Sequence, residues 1–378
     1  MIKWILKYGF LIYLLNTVLL SIEETFLLGD NVFIILMVIF SFSLLLNLKM
    51  LKEVILHKAF GFFLILNCIN IFYWLIFHNF SDLESIKYLL ARAMQFSIIS
   101  FGVVLNYDYF KEDFLKHVVY VILVIILLGL IVDPFIFEGR YRGLLWNPNI
   151  LSSLSCLAFS VLFLSLKRMT NYDSLILAFL VLVSLSTGSR GVLVAIPLAF
   201  LFRYGFSYRN ILYSLGSVVI YSIVLNFQLQ TSINRFASQS LLNDRLLQYK
   251  YAFQTIQQKP FFGFGLDKYA YINPELIPSY LQGHIISAHN AYLAVIVQYG
   301  IIFGLFFFGV VFYKTIQIYF NINRGQRVES FYFYIIIYVI IASFYESLIT
   351  GINEIHTIFF WFSLAFLSYS IYKRKYEN

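Results

Sequence analysis

Residues 180–202 read LVLVSLSTGSRGVLVAIPLAFLF, and this stretch decides how the chain is arranged. It has the length of one membrane-spanning helix, about 20 residues. Yet it carries a charge, Arg190, near its middle. A guanidinium at the bilayer centre costs about 2.5–3.5 kcal/mol even on lenient scales. Two observations resolve the conflict. Gly188 and Gly191 flank the charge within Ser186-Thr187-Gly188-Ser189-Arg190-Gly191, which suits a broken turn. The nearest basic pairs, Lys167/Arg168 and Arg203/Arg209, both belong in the cytoplasm if positive residues stay inside. The chain between them then crosses an even number of times. A hairpin is expected, not one helix. Each arm of about 14 residues rises about 21 Å, short of a hydrocarbon core of about 30 Å. Arg190 is therefore expected below the outer headgroups, in a cavity walled by other helices, where an ionisable residue marks a functional site. The competing reading is an arginine snorkelling to outer-leaflet phosphates.

The rest of the chain fits a bilayer. Of 378 residues, 61% are hydrophobic and 12% charged, against about 45–50% and about 25% in soluble domains. The expected fold class is an all-α polytopic membrane protein forming one integral membrane domain, 1–378. About twelve spans are read from apolar runs of about 20 residues: 4–20, 31–48, 59–77, 86–105, 117–135, 148–166, 174–188, 191–203, 210–228, 290–312, 331–350 and 355–372. The N-terminal run continues apolar to Leu20 without a small-residue cleavage site, so it is read as the first span. Most of the 27 basic residues then fall at alternate ends, from Lys3 and Lys7 to Lys373, Arg374 and Lys375. Both termini are expected in the cytoplasm. The net charge of +8 reflects this bias and does not point to nucleic acid. Cys68 and Cys156 sit in apolar runs and are read as small core residues.

The remaining basic residues lie outward: Lys87 and Arg92 at the start of the fourth span, Arg140 and Arg142 in a loop, Arg190 at the hairpin, and a group in a long loop, 229–289. Arginine binds phosphate oxygens in pairs, so a phosphate-bearing ligand at the outer face is expected. The long loop is read as a subdomain with a surface helix near 243–258, starting at Asn243 or Asp244 and stopping before Pro260. Leu246, Lys250/Phe253 and Ile256 recur on one face of it, and Arg245 and Tyr249, four apart, share another. Gly263 and Gly265 suit a tight turn with free N–H groups, a weak signal. His289 stands where the loop re-enters the membrane and can take a proton from an attacking hydroxyl. The bland alternative is an interfacial histidine bonded to backbone. Glu346, in FYESLITG of the eleventh span, is a second charge at membrane depth, expected to meet an outward arginine, acceptor sugar or water. Glu354 and His356 are read as surface residues.

Four stretches resemble the O-antigen ligase/polymerase (Wzy-type) superfamily of bacterial membrane glycosyltransferases. They are R-x-x-G-x-x-x-N-P-N at Arg140–Asn149, or equally Arg142 with Gly143 and Asn147-Pro148-Asn149; S-T-G-S-R-G at Ser186–Gly191; Arg245 with an aromatic at Tyr249 followed by K-P-x-x-G-x-G to Gly265; and A-H-N-x-Y-L at Ala288–Leu293. The family's Gly after His-Asn corresponds to Gly300. The resemblance covers roughly 140–305. It implies a GT-C-like helical glycosyltransferase whose donor is a glycan on undecaprenyl pyrophosphate, presented outside the cytoplasm. Carried over by motif, Arg190 and Arg245 would bind the pyrophosphate, and His289 would be the general base or would orient the acceptor hydroxyl. Arg142, Tyr249, Asn290 and Glu346 would position substrate. No D-x-D or nucleotide motif lies on the outward side, so neither metal nor other cofactor is expected. The expected partners are the undecaprenyl-pyrophosphate-linked oligosaccharide, the lipid bilayer and a chain-length regulator protein.

Three activities compete. A polymerase would join lipid-linked repeat units of capsule, exopolysaccharide or O-antigen. A ligase would move the finished chain to another acceptor. A flippase or transporter of the lipid-linked unit would show internal repeats and mid-bilayer charge. No repeat is evident and the arginines crowd the outer side, which favours an enzyme, and polymerase is preferred.

Overall fold

The computed structural model of the protein describes residues 2–78, 80–137, 139–166, 169–189, 191–226, 243–266, 289–352 and 354–376, with backbone alone at 2–3, 220–226, 243–245 and 247. Among these the regular structure is helical. The helices are α1 (Ile2–Leu19), α2 (Phe26–Leu45), α3 (Leu48–Ile55), α4 (Gly61–Phe77), α5 (Leu83–Leu105), α6 (Tyr107–Glu112), α7 (Phe114–Val132) and α8 (Pro148–Ser165). They continue as α9 (Asn171–Ser186), α10 (Val192–Tyr204), α11 (Tyr208–Asn226), α12 (Asn243–Gln258), α13 (Ala291–Asn321), α14 (Arg327–Ala342) and α15 (Ile355–Tyr376). Each stretch expected to span overlaps a helix, though the eleventh, 331–350, is helical only to Ala342. Among the described residues, seven helices are long and apolar enough to cross a membrane, while the N-terminal helix, α9 and α10 are shorter apolar ones. The short helices α3 and α6 were not visible in the hydropathy.

Local signals explain the boundaries. Pro148 opens α8, where a missing N–H costs nothing, and the Asn147 side chain accepts from the Asn149 N–H at 2.9 Å. Thr170 and Asp173 form a capping box at the start of α9. The hairpin around position 190 is present: α9 ends at Ser186, α10 begins at Val192, and Gly188 turns the chain with φ +61°. Both arms pack on α8.

The core is organised around α15. Every residue from Ile355 to Ser370 is buried. A helix apolar all round belongs inside a bundle. Its neighbours supply aromatic rings: Phe10 stacks on Phe362 at 4.8 Å, and Phe96 meets Trp361 edge-on at 5.0 Å. His356 is part of this core, only 2% exposed and 5.1 Å from the Tyr338 ring, so it is not a surface residue. Glu354 caps α15, accepting from the N–H groups of His356 and Thr357 at 3.1 and 2.6 Å. Cys156 is buried as expected, but Cys68 is exposed on the outside of α4.

Basic residues gather at one end of the bundle. Arg203 and Arg327, from α10 and α14, converge on the terminal carbonyls of α8, donating to Phe163 and Leu166. A cation at a helix C-terminus also meets the negative end of the dipole. Arg374 pairs with the buried Glu329, which also accepts from Ser370 Oγ at 2.6 Å. The motif-bearing turns lie at the opposite end.

Candidate functional site

The site is assembled where α13 begins and α14 ends. The last carbonyls of a helix have no partner within it, and those of α14 are met from the start of α13. Tyr292 Oη donates to Ile340 O at 2.7 Å, and the Ala291 N–H is shared between Ser343 O (2.9 Å) and Glu346 O (3.2 Å). Asn290 Nδ2 donates to Phe344 O at 3.0 Å, while its Oδ1 caps α13 by accepting from the Leu293 N–H. The motif A-H-N-x-Y-L is thus largely a docking device. Its histidine precedes these docking contacts. His289 adopts φ +39°, a left-handed conformation, uncommon outside glycine but less so for histidine. Its Nδ1 lies 3.4 Å from Glu346 Oε2, with both side chains about one-third exposed, 31% and 32%. Glu346 therefore faces His289, not an arginine among the described residues. It also lies beyond the helix: α14 ends at Ala342, and FYESLITG forms turns where a continued span was expected.

The expected surface helix is present as α12. Its buried face differs from the one expected. Tyr251, Ala252, Thr255 and Ile256 are buried, with Ala252 and Ile256 against Leu293 and Val297 of α13. Leu246 and Phe253 are exposed instead. Tyr249 Oη donates to Phe344 O at 2.6 Å, joining Asn290 on the same carbonyl. Position 245 stands one turn earlier on that face of α12; the Arg245 side chain lies outside the described residues.

The glycine turn after α12 does not present free N–H groups. Gly263 donates to Lys259 O, Phe264 to Val297 O and Gly265 to Gln298 O. The loop is wedged into a kink of α13 at Gly300, φ +70°. A Cβ on Gly263 would stand 2.5 Å from Gln298 O, and one on Gly300 would overlap the Phe261 backbone. Only glycine fits either position. Tyr73 Oη straddles the joint, its single proton shared between Phe262 O at 2.5 Å and Gln298 O at 2.8 Å. Beyond it the Leu266 N–H donates to His78 Nε2 at 3.1 Å, so His78 carries its proton on Nδ1, 2.6 Å from Asp82 Oδ2. Burial pushes the Asp82 carboxyl up, but hydrogen bonds from His78 and Ser85 outweigh it and hold the group below the usual carboxylate range.

The loop at 139–149 lies on the hairpin turn. Tyr141 N donates to Ser186 O at 3.1 Å, and Arg140 Nε to Thr187 O at 3.0 Å. Arg140 also donates to Asn149 Oδ1 at 2.6 Å, closing the R-x-x-G-x-x-x-N-P-N motif on itself. Of the two arginines, Arg140 is the one built into this joint, and Arg142 is exposed. Arg190 lies outside the described residues. Its neighbour Gly191 faces Tyr338 of α14, where an added Cβ would be 3.4 Å from the hydroxyl, so the hairpin turn abuts the helix that leads to Glu346.

One contributor had no motif. Arg92 is only 3% exposed and donates to Thr350 O at 2.5 Å and to Gln95 Oε1 at 2.7 Å. Gln95 and Tyr13 in turn donate to Ile352 O, at 3.2 and 2.7 Å. Together they anchor the connection that carries Glu346. Its only sequence signal was a charge inside the fourth span.

These features define a helical membrane protein with a polar, partly exposed site at one end of the bundle, built by turns. Residues 174–309 match the family model described as O-antigen ligase, consistent with the O-antigen ligase/polymerase superfamily. The match contains positions 190, 245, 289 and 300. The 140–149 loop and Glu346 fall outside it and join the site through the fold. A comparison with curated proteins found no match.

Proposed function

We propose that the protein is a glycosyltransferase that polymerises lipid-linked glycan repeat units at the extracytoplasmic face of the bacterial inner membrane. The observation that carries this reading is the His289–Glu346 pair at the end of the matched family segment. The donor is a glycan on undecaprenyl pyrophosphate. The acceptor is a hydroxyl of a second lipid-linked unit. Glu346 accepts the Nδ1 proton of His289, which leaves Nε2 to take the proton of the acceptor hydroxyl. The hydroxyl oxygen forms a bond to the anomeric carbon, and the carbon–oxygen bond to pyrophosphate breaks. The electron pair leaves with the pyrophosphate, and the anomeric centre inverts. Arg190 and Arg245 hold the departing charge, an electrostatic role that grows as the bond breaks. Twelve crossings with both termini in the cytoplasm put the arginine-clamped end inside and His289 outside.

The family description favours a second reading, transfer of a finished chain to a different acceptor. The test is to express Arg190→Ala, Arg245→Ala and His289→Ala in a strain lacking its own copy and to separate the glycans on gels. Loss of laddering, with single lipid-linked units accumulating outside, supports the polymerase. Intact polymer retained on carrier lipid indicates the ligase. Units held on the cytoplasmic face would refute both and indicate a flippase.

A further inference from the structure

A trough of about 770 Å³ runs along the outside of the bundle between α4 and α13. Its walls include Ile65 and Leu305, 51% and 64% exposed, as expected of side chains that meet lipid tails. At one end stand Lys58 and Lys314. Lys314 Nζ donates to Gln317 Oε1 at 2.9 Å and lies 5.3 Å from the centre of the Phe62 ring, which holds the ammonium at the trough mouth. Lys58 belongs to the turn before α4, whose His57 packs on Tyr369 and Tyr372 of α15. The lysine end is therefore the arginine-clamped end of the bundle. Lys314 lies 14 residues beyond the Gly300 kink of α13, about 21 Å at 1.5 Å per residue, so the trough mouth is separate from the candidate site at the start of that helix. Two glycines shape the trough, Gly61 and Gly309. A Cβ on either would meet nothing within 4 Å, so their bareness leaves space without relieving any internal clash.

We infer that this trough binds an anionic phospholipid of the surrounding bilayer, its phosphate between Lys58 and Lys314 and an acyl chain along Gly61 and Gly309. The charge complementarity selects the occupant. Two ammonium groups beside an apolar channel match a phosphate joined to hydrocarbon, and a zwitterionic lipid adds its own cation to the lysine pair. Lysine stems reach from apolar surface to headgroup level.

The experiment uses the full chain in detergent. Native mass spectrometry follows retention of phosphatidylglycerol against phosphatidylcholine, and thermal unfolding reports the fold. Phosphatidylglycerol is expected to be retained preferentially. Replacing Lys58→Gln together with Lys314→Gln should weaken it about tenfold, the scale of one charge-assisted contact. Gly309→Leu, which fills the trough, should do the same, whereas Gly216→Leu on α11 should not. If Gly309→Leu does not fold, the lysine pair decides. Equal retention of the two lipids, or wild-type retention by the lysine variant, would overturn the assignment. So would stronger retention of a polyprenyl phosphate than of phosphatidylglycerol.

Discussion

Two helices, α9 and α14, stop at the same end of the bundle, and each is closed by a motif from elsewhere in the chain. At α9 the closing groups are the Tyr141 N–H and the Arg140 guanidinium, on the carbonyls of Ser186 and Thr187. At α14 they are neutral: the Ala291 N–H, Asn290, Tyr292 and Tyr249. The first closure uses a charge for architecture. The second leaves His289 and Glu346, 3.4 Å apart and each about one-third exposed, beside it. An arginine in a motif is therefore no phosphate ligand by virtue of its type alone.

Variants can break this contrast or sharpen it. The largest effect is expected from Gly300→Ala, which places a Cβ against the Phe261 backbone at a positive φ. It should unseat the loop after α12 and cost at least about 3 kcal/mol in thermal unfolding. Glu346→Gln keeps the shape of the second closure and removes the charge facing His289. Glycan transfer should fall about a hundredfold with unfolding unchanged; an equal loss of stability would make the pair structural. Arg140→Ala removes the charged closure and leaves Thr187 O without this donor. It should cost about 1.5–3 kcal/mol, whereas Arg142→Ala should stay within about 0.5 kcal/mol. Asn290→Ala removes the cap of α13 and one donor to Phe344 O, for about 1–2 kcal/mol. Among the variants that touch a closure, Tyr249→Phe is the mildest, about 0.5–1.5 kcal/mol, because Asn290 still holds that carbonyl.

Much of this was legible in the sequence for one physical reason. A bilayer solvent imposes apolar runs of helical length and sorts charge by end, and both are local properties. That is why the helices, the hairpin at 186–191 and the helix after 243 could be placed from residues alone. The buried face of α12 was misjudged because its apolar side chains point two ways. Leu246 and Phe253 face outward, while a small residue, Ala252, and a hydroxyl, Thr255, make the close contact. The glycines at 263 and 265 suggested exposed N–H groups because sequence does not reveal what occupies them. Glu346 and His356 were misplaced for a related reason: hydropathy averages over a window and misses where a helix gives way to turns.

The sequence by itself determined that the chain is a helical membrane protein, with a hairpin at Gly188 and an apolar helix beginning just after His289. Only the tertiary structure decided that His289 faces Glu346, that Arg140 and not Arg142 closes α9, that Gly300 receives the Phe261 backbone, and that Arg92 anchors the connection beyond α14. Hydropathy and spacing report the solvent each segment prefers. They carry no record of which residues, dozens or hundreds of positions apart, will share a hydrogen bond once the helices pack.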